Sequence, residues 1–162
     1  GLFPMFVKLD GRRVLVAGAG RIAEQKVHGL LEAGARVVVV AEAAREGFVR
    51  LAAERKLELQ IRSFDSADLD AAVLVIAATG DAAVNQRVFD AASERGILCN
   101  AVDEPERCHF YYPAVVRRGD LQIAISTNGK SPALAQRIRA ELEREFDESY
   151  GAWLEWLGTV RH

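Results

Sequence analysis

The stretch Arg13-Val14-Leu15-Val16-Ala17-Gly18-Ala19-Gly20-Arg21-Ile22-Ala23 decides the fold. Its first five residues form a short apolar run rich in β-branched side chains. Glycines break that run, and from Arg21 a helical period begins, with Ala23, Val27, Leu30 and Leu31 on one face as far as Gly34. A strand that passes through G-x-G-x-x-A directly into a helix has the grammar of a phosphate-binding turn. Gly18 permits the tight turn, Gly20 lets a pyrophosphate approach the backbone, and Ala23 keeps helix and strand close. The helix start offers free N–H groups and the positive end of its dipole. The plainer alternative is a tight strand-to-helix turn that holds no ligand.

Outward from this stretch the alternation continues. Arg36–Ala41 (R-V-V-V-V-A) reads as a strand buried on both faces, as in the middle of a parallel sheet. Ala43–Arg55 reads as a second helix, and Leu57–Ile61 (L-E-L-Q-I) as a strand nearer the sheet edge with one polar face. The pattern repeats with a strand over Ala72–Ala78, a helix over Asp81–Arg95 closed by Gly96, and a fifth strand over Ile97–Val102. Strands alternating with helices in this way predict right-handed βαβ units. The expected fold is therefore α/β, a Rossmann-like doubly wound parallel sheet over residues 1–112.

Beyond that point the grammar changes. Ala114–Arg117 and Leu121–Ser126 read as short strands around the turn Arg118-Gly119-Asp120. Ser131-Pro132 is a helix start, with Ser at the cap and Pro in the first turn, and Leu134, Ile138, Leu142 and Phe146 step by four along the helix that follows. A last amphipathic stretch, Tyr150–Val160, carries Trp153, Leu154, Trp156 and Leu157. This α+β appendage is too small to hold a core alone. Its apolar stripes predict packing on the first domain or on a second copy, in a symmetric dimer.

Composition limits the function. The 162 residues carry 21 Lys+Arg against 23 Asp+Glu, a formal charge of −2, with 50% hydrophobic and 27% charged residues. That is the composition of a folded globular chain, not a disordered one. The near-neutral balance gives no electrostatic footprint for nucleic acid. The longest apolar run, Ala71–Ala78, is far below the ~20 residues of a membrane helix, so no membrane partner is expected. Cys99 and Cys108 make neither a disulfide framework nor a four-ligand zinc site, so no metal centre is expected, and reduced cysteines suit the cytoplasm.

In an open α/β sheet, ligands bind beyond the carboxyl ends of the strands. Here those ends offer Gly18–Gly20, Glu42, Thr79-Gly80 and Asn100–Asp103. Glu42, 22 residues after Gly20, stands where an acid accepts hydrogen bonds from the adenosine ribose, which favours NAD over NADP. Its other reading is a solvated residue opening the next helix. Thr79 and Gly80 are placed for a close approach to the cofactor. Asp103, on the rim near the reacting end of a nicotinamide, is the candidate general acid/base; its other reading is a turn aspartate before Pro105.

The chain as a whole resembles a known family. Leu2–Val27 (L-F-P-M-F-V-K-L-D-G-R-R-V-L-V-A-G-A-G-R-I-A-E-Q-K-V) looks like the opening of precorrin-2 dehydrogenases, the family that includes the amino-terminal half of siroheme synthase. Ala77-Ala78-Thr79, Asn100-Ala101-Val102-Asp103 and Ile123–Pro132 (I-A-I-S-T-N-G-K-S-P) agree in order and spacing, over about residues 2–145. The resemblance implies an NAD-binding Rossmann domain (1–112), a small dimerisation domain (113–145) and the start of a helical domain (146–162). It implies NAD-dependent oxidation of precorrin-2 to sirohydrochlorin, with iron insertion in some members, hence ferrous iron as a second substrate. The family's essential Asp matches Asp103. The cofactor turn matches Gly18, Ala19, Gly20, Arg21 and Ile22, and the adenosine-side loop matches Glu42 and Ala43. Asn100 and Val102 join Thr79 and Gly80 on the cofactor side.

The substrate that the resemblance implies is a polycarboxylate tetrapyrrole, which would need cationic or N–H-rich contacts. Ser126, Thr127, Asn128, Gly129, Lys130 and Ser131 form a turn leading to a helix start, and Arg117 lies at the nearby hairpin with Arg118. The alternative is that this block only turns the chain and that the arginines are solvated. The Trp153/Trp156 stretch reads as helix packing more readily than as a porphyrin platform. The family pattern is broken where Gly80 takes the place of an acid while Asp81 keeps the next one, and where His109 follows Cys108 in place of Asp. His109 reads as a plain polar loop residue, or else as an aid to proton transfer or iron. Starting at Gly1 and ending at His162, the chain is expected to be a trimmed piece with a shortened helical part. Two other functions stay open: a non-catalytic dinucleotide sensor or regulatory subunit, and a small Rossmann oxidoreductase of an open-chain substrate, against which the I-S-T-N-G-K-S-P block argues.

Overall fold

In the computed structural model, which describes residues 1–160, strands β1 (Arg13–Ala17), β2 (Arg36–Ala41), β3 (Glu58–Ile61), β4 (Leu74–Ala77) and β5 (Leu98–Ala101) form one parallel sheet in the order β3-β2-β1-β4-β5. After β3 the chain crosses back over β1 to lay down β4. The strand order thus reverses beside β1, and a crevice opens between β1 and β4 at the carboxyl end of the sheet.

Burial follows from strand position. Val37–Ala41 of β2 are all buried, and so are Val14–Ala17 of β1, while β3 at the edge keeps Glu58 and Ile61 exposed. Alternate residues feed two cores. Val14, Val16, Val37, Val39 and Ile76 point to one side, where α1 (Arg21–Glu32) brings Ala23, Val27 and Leu30 and α2 (Glu46–Ala53) brings Phe48. Leu15, Ala17, Val38, Val40, Val75 and Ala101 point to the other, against Val88 and Ala92 of α3 (Ala82–Glu94) and Leu69 of a 3₁₀ turn, Ser66–Leu69. This is the two-sided burial expected of continuous β-branched strands.

The differences from the expected bounds have local causes. The second helix spans Glu46–Ala53 rather than 43–55, because Glu42–Arg45 form a loop at the strand end and Arg55 takes a positive φ of 58°. Two 3₁₀ turns, at Ser66–Leu69 and Pro105–Arg107, carry no periodic signal of their own; the first is held by an aspartate box in which Asp65 and Asp68 cap each other's backbone.

The chain divides into two compact units, Phe6–Tyr111 and a second one in which Gly1–Met5 group with the segment from Tyr112 onward. The second unit holds an antiparallel hairpin, β6 (Ala114–Arg118) and β7 (Leu121–Ile125), then α4 (Pro132–Glu145) and α5 (Ser149–Val160). Ser131 Oγ accepts from Leu134 N at 3.1 Å, so the Ser-Pro start works as a cap. Arg118 closes the unit. Its guanidinium donates to the carbonyls of Phe146 (2.7 Å) and Glu143 (3.0 Å) at the end of α4 and pairs with Glu148. The unit's apolar stripes are only thinly covered: Trp153, Trp156 and Val160 are 55%, 58% and 64% exposed.

Candidate active site

The groove of the first unit lies along the carboxyl rim of the sheet. It is a cavity of about 390 Å³ lined by Gly18, Ala19 and Gly20 after β1, Glu42 and Ala43 after β2, Arg62, Ser63 and Phe64 after β3, and Thr79 and Gly80 after β4, with Val84 and Arg87 from α3.

The two glycines of the turn have different reasons to be glycine. Gly18 has φ +110°, and a Cβ there would stand 2.3 Å from the carbonyl oxygen of Ala78. This glycine is required by the close passage of β1 past β4. Gly20 has φ −89°, and nothing lies within 4 Å of where its Cβ would be. No protein atom demands a glycine at this position, and the space a methyl would fill opens on the groove. Gly20 is also the N-cap of α1 and supplies no side-chain cap, whereas Asp81 Oδ1 caps α3 by accepting from Ala83 N at 2.8 Å. An uncapped helix start over an open cradle fits a pyrophosphate.

Around this centre the other residues sort themselves. Glu42 is the first residue after β2, exposed, and its Oε1 accepts from Ser63 Oγ at 2.6 Å. Thr79 lines the groove, yet its N–H (3.1 Å) and hydroxyl (2.6 Å) both donate to Oδ1 of Asn85, whose Nδ2 returns a bond to the Thr79 carbonyl (3.2 Å). Asn85, 4% exposed on α3, therefore holds the loop after β4. Its Nδ2 also lies 3.4 Å from Glu104 Oε1, beside Asp103. Arg21 and Ile22 are exposed in the first turn of α1. Asn100, Val102 and Asp103 lie beyond the lining of this cavity: Asn100 Nδ2 donates to the Phe110 carbonyl at 2.8 Å, and Val102 packs against the core on the α1 side.

Asp103 is exposed just past β5 and takes φ +61°, in the left-handed region that aspartate enters more readily than most residues. The loop behind it is tied down at several points. Cys108 Sγ donates to the Ala101 carbonyl at 3.2 Å, His109 N donates to Cys99 O at 2.8 Å, and His109 Nδ1 accepts from Cys99 N at 3.0 Å. The His109 ring also stacks on Phe89 with centroids 4.7 Å apart. His109 thus braces the loop, with Nδ1 occupied by a backbone donor. Burial lowers the pKa of Lys26 on α1, and the charge of the Asp103 carboxylate opposes that shift.

In the second unit the predicted substrate block is largely engaged with itself. Ser126 Oγ accepts from Asn128 N (3.2 Å), Thr127 Oγ1 from Ser131 N (3.1 Å), and Thr127 O from Lys130 N (3.1 Å). Asn128 and Gly129 take the positive φ values of 56° and 75° that a turn requires. Lys130 and Arg117 are exposed. Among the described residues no cluster of three or more His, Cys, Asp or Glu is placed to hold a metal ion, and no helix is long and apolar enough to cross a membrane.

Arg62, Ser63, Phe64, Asn85, Arg87 and Lys26 are absent from the sequence expectations. The parallel register of β2 and β3, which pairs Ala41 with Ile61, is what sets Glu42 beside Arg62 and Ser63.

The fold and the cradle at Gly20 define a dinucleotide-binding protein of the doubly wound class. A family model described as "Putative NAD(P)-binding" matches residues 5–114, and one described as "Sirohaem biosynthesis protein central" matches residues 118–145. The solved structure of SirC, a precorrin-2 dehydrogenase, superposes with a TM-score of 0.83 at 32% identity, covering 99% of this chain and 79% of that one. Siroheme synthase 1 of Cronobacter sakazakii is 43% identical over 98% of this chain and 34% of its own length. The siroheme synthase of Actinobacillus pleuropneumoniae is 41% identical over 98% of this chain and 33% of its own. The chain thus spans about a third of the curated relatives it matches. It belongs to the precorrin-2 dehydrogenase family represented by SirC, and its cofactor is a nicotinamide dinucleotide.

Proposed function

We propose that the chain is an NAD-dependent dehydrogenase that oxidises precorrin-2 to sirohydrochlorin. The observation that carries this reading is the open cradle at Gly20 on the same rim as Asp103. β2 and β5 are three strand spacings apart, about 14 Å, so a dinucleotide with its adenosine at Glu42 runs along the rim toward the β4 and β5 ends, where Asp103 stands.

The reaction removes a hydride and a proton from neighbouring atoms of the substrate. Bound in the groove, the oxidised nicotinamide supplies the hydride acceptor. The residues of the chain do the rest. The α1 start and Gly20 hold the pyrophosphate, Glu42 accepts from the ribose hydroxyls, and the loop locked by Asn85 shapes the wall after β4. The Asp103 carboxylate takes the proton, and Lys26 sets a positive charge beside it. Lys130, Arg117 and the N–H groups of the Ser126–Ser131 turn are the candidate contacts for the substrate carboxylates.

Residues 113–145, with a two-stranded sheet and Leu134 exposed on the helix that follows, are proposed to dimerise; a monomer by light scattering at micromolar concentration would overturn this. Free Cys99 and Cys108 support a cytoplasmic setting. Iron insertion is proposed as a second step only on the family resemblance, with ferrous iron as substrate and Asp103 accepting pyrrole protons.

The test is an anaerobic assay of precorrin-2 with NAD, followed by iron. Spectral conversion to sirohydrochlorin is expected, along with its loss in Asp103→Ala while NAD affinity is kept. Unchanged turnover in Asp103→Ala sinks the assignment, and NAD binding with no conversion by the wild type favours a dinucleotide sensor instead.

A further inference from the structure

The loop after β3 enters the groove with two side chains whose polar atoms are arranged around Glu42. Ser63 Oγ donates to Glu42 Oε1 at 2.6 Å. An exposed glutamate otherwise samples several rotamers, and ribose binding would have to select one. Held by Ser63 through one oxygen, the Glu42 carboxylate keeps its other oxygen free of that bond to accept from a ribose hydroxyl.

Arg62 is the second element. A guanidinium beside the adenosine ribose is the group that accommodates a 2′-phosphate, and Arg62 lines the same groove as Glu42. Its donors are already directed elsewhere. Nη1 donates to Asp68 Oδ2 at 2.9 Å and Nη2 to Asp68 Oδ1 at 2.5 Å, a bidentate pair with a carboxylate only 7% exposed, while Nε donates to Gln60 Oε1 at 3.0 Å. Asp68 is itself fixed by Asp65 N, which donates to Oδ2 at 2.8 Å. A 2′-phosphate arriving at this rim would meet the Glu42 carboxylate and find Arg62 paired.

We propose that Ser63 and Arg62 set the choice between the two dinucleotides: Ser63 positions Glu42 for the unphosphorylated ribose, and Asp68 keeps Arg62 from serving a 2′-phosphate. This rests on the reading of the groove as a dinucleotide site and adds to it two residues, one positioning and one sequestered.

The test measures the affinities for NAD and for NADP by titration calorimetry in the wild type and a set of variants. Ser63→Ala is expected to weaken NAD by about three- to tenfold, the share of one hydrogen bond, and to weaken NADP less, so the preference narrows. Ser63→Thr, which keeps the hydroxyl, is expected to restore it; a general loosening of the loop would not be rescued in this way. Glu42→Ser is expected to gain modestly for NADP, Glu42→Ser with Asp68→Asn to gain about a further tenfold as Arg62 becomes free for the phosphate, and adding Arg62→Ala to remove that gain.

An unchanged preference in Ser63→Ala, or an Asp68→Asn double variant that binds NADP no better than Glu42→Ser, overturns the inference while leaving the dinucleotide reading intact. A wild type that binds neither dinucleotide overturns both. If Asp68→Asn melts at the assay temperature, the Ser63→Ala and Ser63→Thr pair decides alone.

Discussion

Gly18 and Gly20 stand two residues apart, and replacing each with alanine is expected to do opposite things. At Gly18 the new Cβ would lie 2.3 Å from the oxygen and 2.6 Å from the carbon of the Ala78 carbonyl, and 2.8 Å from Thr79 N, at a φ of +110°. All three atoms are backbone, so no side-chain rotation relieves the clash. β1 and β4 must separate just beyond the pair Ala17↔Ala77. Backbone strain of about 1–3 kcal/mol and overpacking of about 1–3 kcal/mol together give a loss of about 2–6 kcal/mol. At roughly 2–4 °C per kcal/mol for a chain of this length, melting falls by about 10 °C. At Gly20 the backbone (φ −89°, ψ −170°) suits alanine and nothing lies within 4 Å. A gain of about 0.4–1 kcal/mol from a stiffer unfolded chain is offset by the poorer cap, so melting moves by no more than about 2 °C. The methyl does fill the cradle, pushing the pyrophosphate off the first N–H groups of α1. The loss of one charge-assisted hydrogen bond weakens NAD by about ten- to a hundredfold. Circular dichroism melts and NAD calorimetry on the same samples separate the two effects. Wild-type NAD affinity in Gly20→Ala, or equal melting losses in the two variants, would refute the reasoning.

Three further outcomes follow from the site. Lys26→Met keeps the buried stem and removes the charge beside Asp103; turnover is expected to fall about tenfold with NAD affinity kept, and an unchanged kcat would remove Lys26 from the mechanism. His109→Ala deprives Cys99 N of its acceptor and Phe89 of its stacking partner, so stability is expected to drop by about 1–3 kcal/mol with NAD binding unaffected; a melting curve that matches the wild type would contradict the bracing role. Asp68 carries a pH dependence. Burial pushes its carboxyl up, but hydrogen bonds from Arg62 and from Asp65 N outweigh this and leave it below its ordinary value of 3.8. With the folded value depressed, the stabilisation is fully present above pH 3.8 and lost as pH falls through the folded value. The stability gap between wild type and Asp68→Asn should therefore be full at neutral pH and shrink below about pH 4, and a gap that widens in acid would reverse the sign.

The sheet is legible in the sequence because each central strand is a continuous apolar run, and burial on both faces demands that composition. Gly18 is legible for the same kind of reason, since a turn that tight leaves few residue choices, whereas Gly20 is legible only through the phosphate-binding motif it completes. What sequence reading misses are side chains that meet across strand ends. Ser63 and Arg62 matter only because β3 lies next to β2 in a register that ends with Ala41 opposite Ile61, and no local pattern states which strand neighbours which. Asn100 has a partner of the same hidden kind. Its place at the end of β5 points to the rim, and its amide Nδ2 donates to the Phe110 carbonyl, a partner ten residues on that no local pattern names.

Asn85 shows why the wall after β4 was the least legible part of the groove. Between Val84 and Val88 in a helical pattern, an asparagine reads as part of the solvated face. It is buried because the loop before α3 folds back over the first turn, with Asp81 capping Ala83 N and Val84 N. The Thr79 N–H and hydroxyl then need an acceptor away from water, and a buried amide that both donates and accepts can satisfy that loop in both directions. Thr79, placed by sequence position for a close approach to the cofactor, lines the groove while its N–H and hydroxyl are held by Asn85. The loop left facing the groove is one whose shape is fixed before any ligand arrives, so the ordering that binding would otherwise require is already present in the free protein.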